Sequence, residues 1–301
     1  FWLKFGSTSA SLKDTMDAKV FLGFCALILV CLPLNLGLCW LLTAGFGQDG
    51  ASTYMWAGWD YDAHAILDHS MGTVLTDVVV TAVISLQAFA CLRAVQQSTL
   101  RFYVLVLLVL YASSTAVGAA VHTAYNGDYM ELRTASFYLA WTVVVGSTAV
   151  AGGIIGLIGN EVLRLVACEA VPLPSSAWMA WSSILFVLVA TGSLSCSRPA
   201  CDIFIAGASQ TVPTFYLQLA LVRCSGSRLS LISLAVLEVA MVGMAPTIFV
   251  YPWLVQHSGL PLGTINMILH TVLGLAWGLQ AWGLTQVCKA MDCSRHTLLL
   301  Q

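Results

Sequence analysis

The chain has 301 residues, of which 59% are hydrophobic and 9% charged, against roughly 25% charged in an ordinary soluble domain. With 12 Lys and Arg against 14 Asp and Glu the net charge is -2, so no basic surface neutralises phosphates and nucleic-acid binding is excluded. Apolar residues run in blocks too long for a disordered, collagenous or disulfide-stapled secreted chain, which leaves an all-α polytopic membrane bundle in contact with the lipid bilayer.

Residues 1–19 form a lead-in in which Ser11-Leu12-Lys13-Asp14 fits a capping box for a short amphipathic helix. Eight apolar stretches of about 20 residues then predict transmembrane helices, because only helices satisfy every backbone amide in hydrocarbon. They are Val20 to Gly45, Met71 to Ala94, Phe102 to Tyr125, Thr134 to Gly159, Ala177 to Cys196, Ile203 to Val222, Leu229 to Tyr251 and Ile265 to Cys288. The first is too long for a signal-peptide core and is read as a retained helix. Together, residues 20–288 make a single eight-helix domain, with 289–301 as a C-terminal tail.

Ten Lys and Arg fall in the connections on one side of this topology, whereas only Arg133 and Arg198 fall on the other. Cytoplasmic segments collect positive charge, so both termini are expected on the cytoplasmic side. The outer connection before the second span carries Tyr54, Trp56, Trp59 and Tyr61 with Asp49, Asp60, Asp62 and Asp68. Such a segment suits an aromatic interfacial flap with an acidic outer face. The fourth helix is expected to continue through Glu161 to Glu169 until Pro172 and Pro174 stop it. Between spans five and six, Cys196 and Cys201 flank a short outer loop and suit a small disulfide if that compartment is oxidising. Cys25, Cys31, Cys39 and Cys91 read as packing or lipid-facing residues.

Small and polar residues at helical spacing mark faces that pack on protein, since lipid offers helices no hydrophobic reason to associate. The stripes are Ser70, Thr73, Asp77, Thr81 and Ser85 in span two; Ser114, Gly118 and His122 in span three; Ala149, Gly152, Gly153, Gly156 and Gly159 in span four; and Asn266, His270, Gly274 and Gly278 in span eight. The topology puts Asp77, His122 and His270 at one depth, roughly 5–10 Å inside the outer end of the bundle, with His69 at its mouth. Three imidazoles and a carboxylate could bind zinc, leaving one position open for chemistry with Asp77 taking part. Two facing imidazoles, His122 and His270, would also suit a haem or another pigment. A carboxylate inside a span costs about 2.5–3.5 kcal/mol, so Asp77 and Glu238 must each be paired, protonated or functional. For Glu238 the candidate partners are Gln210, Thr214 and Gln218 around a kink at Pro213, along a proton or ion path.

Gly118-Ala-Ala-Val-His122 and His270 carry a family resemblance. Spans two to eight resemble the alkaline ceramidase and progestin/adiponectin-receptor superfamily, a seven-helix fold whose zinc site uses histidines of its second and seventh helices. That family has Ser-x-x-x-His where Gly118 to His122 stand and His-x-x-x-His beginning where His270 stands; here Gly118 replaces the Ser and Gly274 the second His. The resemblance implies a zinc-dependent lipid amide hydrolase, with Asp77 or His69 completing the ligand set. Three classes therefore stand side by side. The first is a non-enzymatic subunit or scaffold working with other membrane subunits, suggested by short loops and small-residue faces. The second is the lipid-directed hydrolase. The third is a transporter or channel, suggested by Asp77, Glu238 and the interruptions at Pro33, Pro213 and Pro246. Retinal binding is excluded, because Lys289 follows the end of the last span.

Overall fold

Ser70 and Ser98 each accept a hydrogen bond from a backbone amide three residues on, and each opens a long apolar helix. Caps of this kind contribute about 1 kcal/mol and set where a helix begins. A computed structural model describes residues 18–44, 68–125, 134–165, 173–191, 207–224, 230–244, 250–251, 253–254 and 257–299, and the fold within them is wholly helical. Helix α1 covers residues 18–44 and passes through a π-helical stretch, Ala26–Cys31, just before Pro33 interrupts its hydrogen-bond ladder. The helices after it are α2 (Met71–Ala94), α3 (Thr99–Ala124), α4 (Ala135–Leu165), α5 (Ser175–Ala190), α6 (Thr211–Cys224), α7 (Leu231–Met244) and α8 (Leu262–Leu299).

Five of these helices are long and apolar enough to cross a membrane, the make-up of a multi-pass membrane protein, while α5 and α7 are apolar but shorter. Exposure follows the same logic. Leu75, Leu86, Leu139 and Leu275 are at least 60% exposed on the outside of the bundle, whereas Thr73, Asp77, Asn266 and Gln280 are buried within it. A soluble protein would invert this arrangement.

Helix α4 is the hub, packed against α3, α5 and α6, while α2 lies between α3 and α8 and α7 packs on α8. The glycines of α4 make this close approach possible. A Cβ on Gly152 would stand 3.0 Å from the Ser209 carbonyl oxygen and one on Gly159 would stand 2.7 Å from the Tyr216 ring. Side chains on Gly153 and Gly156 would collide with Ser182 and Trp178. The small-residue stripe of span four is thus consumed inside the chain.

Several expectations are adjusted. Ser85 faces outward and Ile84 takes its place in the core, because the buried stripe of α2 follows the 3.6-residue period rather than a strict four. Helix α4 continues past Glu161 to Leu165, and the rest of its expected extension, to Glu169, lies outside the described residues. Pro213 does not kink the middle of a helix; it lies in the first turn of α6, where its missing amide would have had no helical partner. Asp68, expected on an acidic outer face, is 6% exposed and turned inward. The aromatic flap from Tyr54 to Tyr61, Cys196, Cys201, Pro246 and the lead-in at residues 11–14 lie outside the described residues.

Candidate metal centre

Helices α2 and α3 are hairpin neighbours, and α8 closes against α2. Each contributes one polar side chain at the same level. Asp77 Oδ1 lies 3.0 Å from His270 Nδ1, and Asp77 Oδ2 lies 4.0 Å from His122 Nε2. The two imidazole centroids are 6.0 Å apart. One ligand-capable atom from each of Asp77, His122 and His270 falls within 4.8 Å of the others, and this is the metal-competent group found among the described residues. Its side chains are 5% exposed for Asp77 and His122 and 16% for His270, so bulk water does little to screen the charges.

Alignment matters as much as distance here. His270 Nδ1 is buried and makes no hydrogen bond among the described residues although Asp77 Oδ1 is close enough for an ion pair. The contact is off the line that a hydrogen bond requires. On the other side, His122 Nδ1 donates to the Asp68 carbonyl oxygen at 2.5 Å. That bond puts the proton on Nδ1 and leaves the Nε2 lone pair facing Asp77, the arrangement in which ligand histidines are commonly held by a carbonyl behind them.

Asp68 is itself fixed. Its carboxylate accepts from the Ser70 amide at 2.9 Å, from Asn266 Nδ2 at 2.8 Å and from the Thr73 hydroxyl. Burial works against its charge, but the bonds from Thr73, Asn266 and Ser70 outweigh it and hold the Asp68 carboxyl below its ordinary value. Asn266 Oδ1 in turn accepts from the Tyr251 hydroxyl at 2.8 Å. A chain of bonds therefore runs Tyr251–Asn266–Asp68–His122.

Gly118 has a separate task. A Cβ there would stand 2.9 Å from Asp77 Oδ2, so the absence of a side chain is what lets the carboxylate lie between the helices. Just below, the Thr81 and Thr115 hydroxyls bond to each other at 2.7 Å and Thr81 donates to the Asp77 carbonyl, which seals α2 onto α3.

Of the four residues expected to form the cluster, Asp77, His122 and His270 come together and His69, expected at its mouth, does not; it is exposed, outside the cluster. Asp68 and Asn266 are the additions. Asn266 was visible as part of a polar stripe, but the inward turn of Asp68 had only its place two residues before a capping Ser to announce it. Glu238 lies elsewhere, in mid-α7. Gln218 hydrogen-bonds its carboxyl, while Glu238 Oε1 is enclosed with no partner among the described residues. Gln210 is not its partner, because it accepts from the Tyr111 hydroxyl at 2.9 Å and donates to the Thr148 carbonyl.

Two imidazole nitrogens and a carboxylate oxygen are a donor set suited to zinc, and three protein ligands leave one position open. Comparison with known proteins finds no family model that matches this chain, and no curated protein or solved structure similar to it.

Proposed function

We propose that this chain is a metal-dependent membrane hydrolase, with Asp77, His122 and His270 holding a zinc-type ion and an acyl linkage of a membrane lipid as the substrate. The observation that carries the reading is the alignment: a buried His270 Nδ1 without a hydrogen bond and a buried His122 Nε2, its lone pair left free by the bond from Nδ1 to Asp68, converge on the same carboxylate. Bound there, such an ion supplies Lewis acidity toward a carbonyl oxygen. His122, held by the Asp68 carbonyl, and His270 would hold such an ion together with Asp77, whose carboxylate would balance its charge. Lipid is the favoured substrate class because the site is flanked by Leu75, Val78, Val79, Met267 and Ile268, which are exposed where the bilayer would lie.

The subunit reading drew on short loops and small-residue faces, and the faces of α4 and α8 are occupied by Trp178, Tyr216, Val80 and Val83 of the same chain. A transport reading keeps one observation, the enclosed and unpartnered Oε1 of Glu238. For topology we propose eight spans with both termini on the cytoplasmic side, supported by the charge asymmetry; tags at both ends of opposite protease access in sealed vesicles would refute it.

The test is a zinc titration of purified protein beside a lipid-product assay in vesicles. Wild type should bind one zinc per chain and release a chelator-sensitive fatty acid, while Asp77→Asn, His122→Ala and His270→Ala should lose both. Zinc bound at unchanged stoichiometry in those variants would overturn the site. Zinc lost with no lipid product formed by wild type would overturn the hydrolase reading alone.

A further inference from the structure

Helices α2 and α8 run parallel and in register. A Cβ on Gly72 would meet Met267, Asp77 faces His270, a Cβ on Gly274 would meet Val80 and one on Gly278 would meet Val83, so partners advance together along both helices. About two turns beyond Val83 the same seam brings Cys91 of α2 against α8, where it shares hydrogen bonds with Cys288 and Thr285. Both cysteines are thiols and are buried, at 0% and 1% exposure.

The surroundings are basic. Arg101, at the start of α3, donates from Nη1 to the Val95 carbonyl at 2.8 Å, which holds its guanidinium over the C-terminal end of α2. Arg101 and Lys289 both act electrostatically on Cys91. No third His, Cys, Asp or Glu joins the pair among the described residues.

We propose that Cys91 and Cys288 form a two-sulfur site for a soft, closed-shell monovalent ion of the copper(I) type. Thiolates select soft ions, and zinc would require further ligands that the seam does not supply. On binding, two S–H bonds break, two metal–sulfur bonds form and two protons leave. The centre then carries one net negative charge, which Arg101 and Lys289 offset. It lies about 20 Å along α2 from Asp77 and stands independently of the hydrolase reading.

The experiment loads reduced, detergent-purified protein with half an equivalent of copper(I) in competition with a chromophoric copper(I) chelator. Wild type should retain the ion at chelator concentrations that strip it from Cys91→Ser and from Cys288→Ser, with affinity lower by at least tenfold in each, while Cys25→Ser should behave as wild type. Equal retention in all four proteins would overturn the proposal. X-ray absorption at the copper edge of wild type gives a readout free of any folding defect in the variants: a shell of two sulfurs is expected, and nitrogen ligands, pointing to the histidine site instead, would overturn it.

Discussion

Replacing Gly118 with alanine tests the metal centre without removing any ligand. The added Cβ would stand 2.9 Å from Asp77 Oδ2, and ordinary van der Waals contact begins near 3.4 Å, so the carboxylate has to retreat by about 0.5 Å. Metal–ligand distances hold to about ±0.2 Å, so Asp77 can no longer share an ion with both imidazoles undisturbed. Shifts of this kind in supporting structure cost about 10–100-fold in metal affinity, which is roughly 1.4–2.7 kcal/mol. Stability should change little. Overpacking costs about 1–3 kcal/mol, but a helical Gly→Ala returns close to 1 kcal/mol, and the atom displaced is the end of a side chain rather than backbone. Zinc competition against a chromophoric chelator, run beside thermal unfolding in the same detergent, separates the two effects. Zinc affinity within twofold of wild type would refute the claim that Gly118 makes room for a ligand carboxylate.

Asn266→Leu removes the middle of the Tyr251–Asn266–Asp68 chain and takes one donor from the buried Asp68 carboxylate; zinc affinity should fall about 10-fold or more, and unaltered titration curves would show that Asp68 is held without it. The folded state depresses the Asp68 carboxyl below its value of 3.8 in the unfolded chain, so its stabilising contribution is in place above that pH and drains away as pH falls through the lower folded value. Melting of wild type should therefore decline below about pH 4 more steeply than melting of Asp68→Asn, and parallel declines would contradict the assignment. A Gly156→Leu chain should fail to fold or melt far lower, because the new side chain occupies the place of the Trp178 ring; wild-type melting would overturn the α4–α5 packing. Glu238→Gln should leave zinc binding unchanged and melt no lower than wild type, since it puts an uncharged group of the same shape where a carboxyl with an enclosed, unpartnered oxygen stands among the described residues.

The apolar, multi-pass character, the helical nature of the described segments and the inward direction of most polar stripes were legible in the sequence, because hydrocarbon permits no other way to satisfy the backbone and penalises polar side chains that face lipid. Asp77, His122 and His270 could be set at one depth by counting residues from span ends, since helical rise is constant. What counting could not supply is azimuth and neighbour. Only packing decided that α8 lies beside α2, that His69 points away while Asp68 turns in, and that Gly118 leaves a space filled by a carboxylate from another helix. The same holds for Cys91, read from sequence as a packing residue and brought to Cys288 by a parallel seam between helices far apart in the chain. Rise along a helix is a property of the local backbone, whereas the rotation and pairing of helices emerge from which small residues let which large ones approach, and that is written across the whole chain at once.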